Sequence, residues 1–140
     1  MINPEITIFF ATNLDRIVIL SVALYFIVLF IFTENKKRTF SDFVFCFMSA
    51  TIALAISMLI KEAFMIERPF VESGVEPLFL PFDPYSFPSS HSAVFFAISA
   101  CLFFTKKKIW FLFFIASFLI ATARVLSGVH TFYDCFVGGL

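Results

Sequence analysis

The amino-acid sequence predicts an all-α fold, an integral-membrane helix bundle of about five spans with an incomplete last span. Of the 140 residues, 61% are hydrophobic and only 14% are charged, and the mean hydropathy is +0.99. A soluble domain of this size cannot bury so large an apolar fraction, whereas helices that face lipid can expose it. The apolar residues also fall in long runs that are separated by charged segments. We therefore predict a single membrane-embedded domain over residues 1–140.

The apolar runs define the spans in chain order. Residues 1–16 mix acidic and apolar side chains without a basic leader, which predicts at most a helix on the membrane surface and no signal peptide. The last run has about half the length that a bilayer requires, so we expect a truncated product or a span completed by something else. The predicted spans are 17–33, 43–60, 89–105, 109–124 and, incomplete, 131–140.

Charged or proline-containing segments end each span. Residues 34–38 separate the first two spans, and Lys61 closes the second. The connection that follows carries five prolines before His91 and is too broken for a continuous helix. Pro88 suits the first turn of the third span, and a Ser127-Gly128 turn signal precedes the last one.

Two basic clusters set the predicted orientation. Lys36–Arg38 and Lys106–Lys108 lie two spans apart and therefore on one side, which the positive-inside rule assigns to the cytoplasm. Lys61, the loop up to His91 and the turn from Arg124 to His130 then lie on the other side. We expect a multi-pass protein of the inner (plasma) membrane whose polar site faces the periplasm or the exterior.

Charge and cysteine content exclude several classes of function. A formal net charge of zero and a pI near 6.7 argue against a nucleic-acid partner. The three cysteines have no metal-ligand spacing, so neither a zinc site nor a disulfide framework is predicted, and we interpret them as packing residues. The acidic side chains in the connection between Lys61 and His91 predict a solvated face; they are Glu72, Glu76 and Asp83.

Three outward segments carry polar groups that suit one site. Lys61 and Arg68 are seven residues apart, near two helical turns, so both can point the same way on a helix. The serines Ser89 and Ser90 lie at a helix start, where free N–H groups bind an anion. The third segment begins at Arg124 and continues to the last span. Together they supply three cations, hydroxyl groups and backbone donors for a phosphate.

The histidines complete an inventory for phosphoryl transfer. The i to i+4 spacing lets Asp134 accept a hydrogen bond from the His130 ring and fix its tautomer. His130 is the predicted nucleophile, and His91 is the predicted acid that protonates the leaving oxygen and then activates water. We predict no metal and no other cofactor, because the cations neutralise the phosphate and no metal-spaced cluster occurs in the sequence.

These segments resemble the signature K-x6-RP, PSGH and SR-x5-H-x3-D of the type-2 phosphatidic acid phosphatase family of membrane lipid phosphatases. The corresponding stretches read KEAFMIERP (61–69), PSSH (88–91) and ARVLSGVHTFYD (123–134). Ser90 stands where the family has glycine, and Ala123 replaces a serine whose hydroxyl could have touched phosphate. The resemblance covers the chain from about Lys36 onward. The amino-acid sequence around the first two motifs is most similar to that of bacterial undecaprenyl-diphosphate phosphatases.

The resemblance implies removal of one phosphate from a polyprenyl diphosphate on the outer leaflet, which recycles the lipid carrier of cell-wall synthesis. The partners are then the lipid substrate and the membrane lipids around it. Three alternatives stay open at this point. The substrate can be phosphatidic acid, phosphatidylglycerol phosphate or a lipid A phosphate, the protein can bind lipid phosphates without turnover, or it can be a small channel or transporter subunit. The last is least favoured, because the sequence has no repeats or lined pore.

Overall fold

The computed structural model describes residues 3–140, which form seven helices. No strand occurs within these residues, and one isolated antiparallel bridge pairs Glu67 with Tyr85. The prediction of an all-α fold is therefore confirmed. The helices are α1 Pro4–Thr12, α2 Leu14–Phe32, α3 Lys36–Phe64, α4 Pro69–Ser73, α5 Ser90–Phe104, α6 Trp110–Leu126 and α7 Phe132–Gly138.

The N-terminal segment packs on the bundle, and its position on the membrane surface stays a prediction. α1 and α2 follow one another with only Asn13 between them, and 4–32 as a whole is long and apolar enough to cross a membrane. Thr7 and Ala11 are buried, and α1 packs against α6. The segment therefore belongs to the bundle, because its small side chains permit close packing. Met1 and Ile2 of the predicted 1–16 segment lie outside the described residues.

α3 is longer than the span predicted at 43–60. The Asn35 side chain accepts a hydrogen bond from the Arg38 amide at 3.1 Å and starts the helix within the basic cluster. At the far end, Met65 adopts the left-handed conformation (φ 48°) that commonly terminates helices. The chain leaves α3 there and runs extended to Arg68, where α4 begins.

α5 is the central helix of the bundle and packs against α3, α6 and α7. Its buried Phe95, Ile98 and Leu102 form the core together with Phe113 and Ile120 of α6. By contrast, the outward surfaces of the long helices are apolar and exposed, as a lipid environment requires. Examples on α2 and α3 are Leu20, Leu24, Phe47 and Leu59, which are 61% to 71% exposed.

A buried serine pair joins α5 to α6 in this core. The hydroxyl groups of Ser99 and Ser117 lie 3.0 Å apart. Ser117 also donates to the backbone carbonyls of Phe95 and Phe113, at 2.9 and 2.7 Å. The pair fixes the register of the two helices that carry His91 and Arg124 at their outer ends.

Residues 74–89, called the outer loop after their predicted side of the membrane, lie across the end of the bundle and are fastened at both sides. The Leu78 amide donates to the Ser127 carbonyl at 3.1 Å, and the Ser86 amide donates to the Ile66 carbonyl at 2.8 Å. Leu80 and Phe82 lie on the surface of this loop with fully or largely exposed side chains. The loop therefore forms a roof over the ends of α3, α5 and α6.

Candidate active site

A cavity of about 330 Å³ opens beneath the outer loop, where α3 ends and α5 begins. Six of the eight predicted site residues line it, although they come from distant parts of the sequence. The other two, Ser89 and Asp134, lie behind this lining and are buried. The six lining residues are Lys61, Arg68, Ser90, His91, Arg124 and His130.

Lys61 reaches the cavity from the last turn of α3 and is only 4% exposed. Its Nζ donates to the Tyr85 carbonyl at 2.6 Å and to the Ser86 carbonyl at 3.4 Å. The same ammonium lies 3.4 Å from a carboxylate oxygen of Asp83. Lys61 thus fastens the outer loop and at the same time brings positive charge to the cavity.

Arg68 reaches the cavity without the continuous helix on which its seven-residue spacing from Lys61 would align the two side chains. The left-handed residue Met65 ends α3, and Arg68 stands in extended backbone ahead of α4. Its Nη1 donates to the Val129 carbonyl at 2.7 Å and lies 3.5 Å from Nε2 of His130. Burial, reinforced by nearby Arg124, lowers the pKa of Arg68 to about 10, so the guanidinium stays charged at neutral pH.

The two serines at the start of α5 have different surroundings. Ser89 is the N-cap: its hydroxyl accepts from the Ser92 amide at 3.4 Å, and its own amide donates to the Asp134 carbonyl at 3.0 Å. Ser90 lines the cavity, and its hydroxyl accepts from Ser57 at 2.9 Å. The structure therefore brings Ser90 to the cavity, whereas Ser89 joins α5 to α7.

Gly138 allows that junction to be close. A Cβ at this position would lie 2.5 Å from the Ser89 carbonyl oxygen and 3.2 Å from its nitrogen. Only a hydrogen atom fits there, so α7 approaches the start of α5 at backbone contact.

His91 and Arg124 contact each other in the lining of the cavity. Nη2 of Arg124 contacts Nε2 of His91, and the Arg124 guanidinium lies 5.2 Å from the ring centre of Phe79. Nε2 of His91 also lies 3.5 Å from the Asp15 carboxylate. Because a guanidinium only donates, the contact with Arg124 requires an unprotonated Nε2, and an ion pair with Asp15 requires a protonated one.

The predicted hydrogen bond between His130 and Asp134 is replaced by a looser approach. His130 precedes α7, so the helical i to i+4 geometry does not apply, and its Nδ1 lies 3.6 Å from Asp134 Oδ2. That oxygen instead accepts from the Thr131 amide at 2.7 Å, while the Asp134 amide donates to the Thr131 hydroxyl at 3.1 Å. This capping box orients the carboxylate toward the ring. Nδ1 has no hydrogen-bond partner among residues 3–140.

The environment of His130 favours a neutral ring with a free Nε2. Burial, together with the charges of Arg68 and Lys61, lowers the pKa of His130 to about 4 against the opposing effect of Asp134. Since Nε2 faces the Arg68 donor, the single proton belongs on Nδ1, next to the carboxylate. Nε2 thus presents a lone pair to the cavity, as a nucleophile requires.

Sequence reasoning missed two carboxylates in the cavity. Asp83, interpreted there as part of a solvated face, pairs with both Lys61 and Arg68. Asp15 of α2 pairs with His91. No motif marks either residue, because both contacts depend on the folded path of the outer loop and on the docking of α2.

The described part of the chain holds no group of three or more His, Cys, Asp or Glu side chains that could bind a metal ion. The two cavity carboxylates lie instead against cationic or histidine side chains. What the arrangement can bind is an anion, through three cations and a serine hydroxyl around one cavity.

Comparison with known proteins places the chain in a family. Residues 42–140 match the PAP2 superfamily. The bacitracin transport permease protein BcrC of Bacillus licheniformis is 38% identical over 55 residues, which are 39% of this chain and only 27% of that relative. The aligned segment therefore spans well under half of the relative's length.

Two solved structures have the same fold. LpxE of Aquifex aeolicus superposes with a TM-score of 0.68 at 29% identity, over 98% of this chain and 80% of that one. A transmembrane PAP2-type phosphatidylglycerolphosphate phosphatase from Bacillus subtilis also gives a TM-score of 0.68, at 19% identity, over 98% of this chain and 71% of that one. At that lower identity the likeness concerns the fold alone.

These relatives confirm the predicted resemblance and the predicted membrane helix bundle, and they agree with the predicted class of phosphoric ester hydrolase. The matched region is more than half of the chain and contains Lys61, His91 and His130. On this evidence the protein is a member of the PAP2 superfamily.

Proposed function

We propose that the protein hydrolyses a lipid phosphate or diphosphate through a phosphohistidine intermediate at the outer face of the membrane. The observation that carries this proposal is the convergence of Lys61, Arg68 and Arg124 with two histidines on one cavity. Buried cations in a cavity bind a phosphoryl group strongly, because water competes poorly there. A transferring phosphoryl group carries its charge on three equatorial oxygens, which the three cations can neutralise.

The first step is attack by His130 on phosphorus. Nε2 forms the N–P bond while the bond from phosphorus to the leaving oxygen breaks. The ring becomes cationic, and Asp134, held by the Thr131 capping box 3.6 Å from Nδ1, stabilises it. His91 gives its proton to the leaving oxygen, so the lipid departs as an alcohol or as a monophosphate.

The second step regenerates the enzyme. His91, now neutral, takes a proton from a water molecule, and the resulting hydroxide oxygen bonds to phosphorus as the N–P bond breaks. Inorganic phosphate leaves, and His130 returns to its neutral form. The cations bind the phosphoryl oxygens in both steps, so charge neutralisation in this proposal needs no metal ion, and we expect turnover in the presence of a chelator.

For the substrate we propose undecaprenyl diphosphate, converted to undecaprenyl phosphate. This choice of substrate is supported by the amino-acid sequence around the first two motifs, which resembles that of bacterial undecaprenyl-diphosphate phosphatases. Phosphatidic acid, phosphatidylglycerol phosphate and a lipid A phosphate are the alternative substrates, since the motifs contact the phosphate and not the lipid tail. The basic clusters Lys36–Arg38 and Lys106–Lys108 support a site on the periplasmic or exterior side of the inner membrane.

The test is phosphate release by purified protein in detergent, with undecaprenyl diphosphate, phosphatidic acid, phosphatidylglycerol phosphate and a lipid A phosphate as parallel substrates. We expect release with a chelator present and inhibition by vanadate. A quench of the reaction on radiolabelled substrate should trap an acid-labile phosphohistidine in wild type and none in His130→Ala. Turnover by His130→Ala at the wild-type rate would refute the nucleophile. Vanadate binding without turnover of any substrate would favour a non-catalytic lipid-phosphate-binding protein.

A further inference from the structure

We infer that Asp15 is a positioning residue that favours the protonated form of His91, which its role as general acid requires. This inference rests on the proposed function, in which His91 protonates the leaving oxygen. Asp15 lies outside the residues 42–140 that match the family, so family membership assigns it no role. The argument starts from its contacts in the cavity.

Asp15 enters the cavity from the first turn of α2. Its Oδ2 lies 3.5 Å from Nε2 of His91. Its Oδ1 accepts a hydrogen bond from the Arg16 amide at 2.7 Å, which fixes the orientation of the carboxylate. With its side chain 19% exposed, Asp15 is sheltered enough from water to act electrostatically on the ring.

The other charges around His91 oppose its protonation. Arg124 from α6 contacts Nε2 directly, and Lys61 of α3 acts on the ring from across the same cavity. Among the described residues, Asp15 is the carboxylate that pairs with this histidine. The remaining charged or titratable groups of the cavity lining are Arg16, Arg68, Asp83 and His130.

Nε2 of His91 therefore has two competing partners. Without a proton it accepts from Arg124, and with a proton it donates to Asp15. When a phosphoryl group binds, its oxygens compete with His91 for the Arg124 guanidinium. The form of His91 in which a protonated Nε2 donates to Asp15 is then favoured over the neutral form. Asp15 thus couples phosphate binding to the protonation state that leaving-group departure needs, and it acts through the ring of His91.

The test compares two leaving groups within each variant. An alkyl phosphate such as phosphatidic acid releases a strongly basic alkoxide and needs the acid, whereas p-nitrophenyl phosphate releases a weakly basic phenolate and does not. For Asp15→Asn we expect kcat to fall roughly tenfold or more with phosphatidic acid and less than about threefold with the nitrophenyl ester. The ratio of the two kcat values, phosphatidic acid to nitrophenyl ester, is independent of how much of the preparation is folded.

Three matched variants complete the experiment. Glu5→Gln removes an acidic side chain that is exposed and makes no ion pair within residues 3–140, so it should leave the ratio unchanged. Asp15→Glu retains the negative charge, so its ratio of kcat values should be close to that of wild type. In Asp15→Asn the alkaline limb of the pH profile should move to lower pH by about one unit with phosphatidic acid as substrate.

The outcomes separate the two claims. Equal losses with both esters in Asp15→Asn, or no loss with either, would overturn the role of Asp15. If His91→Asn also lost both activities equally, the general-acid assignment of His91 in the proposed function would fail, and this inference would fail with it. If His91→Asn discriminated between the esters and Asp15→Asn did not, the proposed function would stand alone. Absence of turnover in wild type with the nitrophenyl ester and with every lipid phosphate named above would overturn both.

Discussion

Asp83 occupies the cationic cavity by pairing with Arg68. Nε of Arg68 donates to the Asp83 backbone carbonyl at 3.0 Å, and the guanidinium also contacts the carboxylate. The same carboxylate lies 3.4 Å from Nζ of Lys61. An internal anion thus holds two of the three cations that a phosphate would use. Its side chain is 43% exposed, so a stronger anion can displace it.

Replacement of this internal anion should tighten phosphate binding. Asp83→Asn keeps the shape of the side chain and the backbone contact to Arg68 but removes the competing charge. We expect the inhibition constants of vanadate and inorganic phosphate to fall by roughly threefold to tenfold. Glu76→Gln, an equal charge change on the same loop, should leave them unchanged. Weaker inhibition in Asp83→Asn would mean that the carboxylate serves to position Arg68.

The buried His130 should make stability depend on pH. The ring has a pKa of about 4 in the folded protein and about 6.5 when unfolded, so between these values the unfolded chain binds more protons. The free energy of unfolding should therefore decrease as pH falls from about 6.5 to about 4, which thermal unfolding in detergent can measure. His130→Gln should flatten this part of the curve. If the free energy of unfolding of the variant decreased just as steeply, the pH dependence would come from other titratable groups.

Catalysis should follow the same titration in a predictable direction. Protonation of His130 removes the lone pair of Nε2, so kcat/KM of the free enzyme should decline as pH falls toward about 4. A bound phosphoryl group adds negative charge beside the ring and favours its protonated form. We therefore expect the acid limb for kcat to lie at higher pH than that for kcat/KM. Coincident limbs would contradict a phosphate next to His130.

The serine pair between α5 and α6 should contribute measurably to stability. Ser117→Ala removes a hydroxyl that bonds to Ser99 and to two backbone carbonyls. We expect the free energy of unfolding to decrease by about 1 kcal/mol in Ser117→Ala and by about 0.6 kcal/mol in Ser99→Ala, since single hydrogen bonds in membrane proteins contribute about this much to stability. Ser21→Ala, at an exposed position on α2, is the control. Additive effects of the two core substitutions would argue against a coupled pair.

Gly138→Ala should disturb the site from a distance. The added methyl group meets the Ser89 backbone at 2.5 Å and must push α7 away from the start of α5. We expect at least a tenfold loss of kcat, since a displacement of about 1 Å can cost about a hundredfold. At Gly139 the added methyl would first meet the Phe96 side chain, at 3.0 Å, which can move. Gly139→Ala should therefore cost less, and equal effects would refute the steric explanation.

The fold was predictable from sequence where the signal is local. Apolar runs define membrane helices because a bilayer demands continuous helices of a certain length. The motif spacings likewise identified the polar residues of the cavity, including Lys61, Arg68 and Arg124. Helix ends were less predictable. The left-handed Met65 and the Asn35 cap shift the boundaries of α3, and neither follows from hydrophobicity.

The unpredicted parts of the site depend on tertiary structure. Asp83 reaches Lys61 only because backbone bonds at Leu78 and Ser86 fasten the outer loop over the bundle. Asp15 reaches His91 only because α1 and α2 pack onto the rest of the bundle. No pattern in the sequence encodes such contacts between distant segments. The capping box at Thr131 is the reverse case, since Thr131 and Asp134 form a local helix-start signal, whereas the predicted partner of Asp134 is His130.

The exposed Leu80 and Phe82 on the outer loop bear on how a substrate arrives. Leu80 is 81% exposed, and Phe82 lies fully on the surface; both also border the cavity. Large apolar side chains favour the boundary between headgroups and acyl chains over bulk water. We expect this preference to bring the mouth of the cavity level with the phosphates of the surrounding leaflet. A lipid can present its headgroup by lateral diffusion while its tail stays in hydrocarbon.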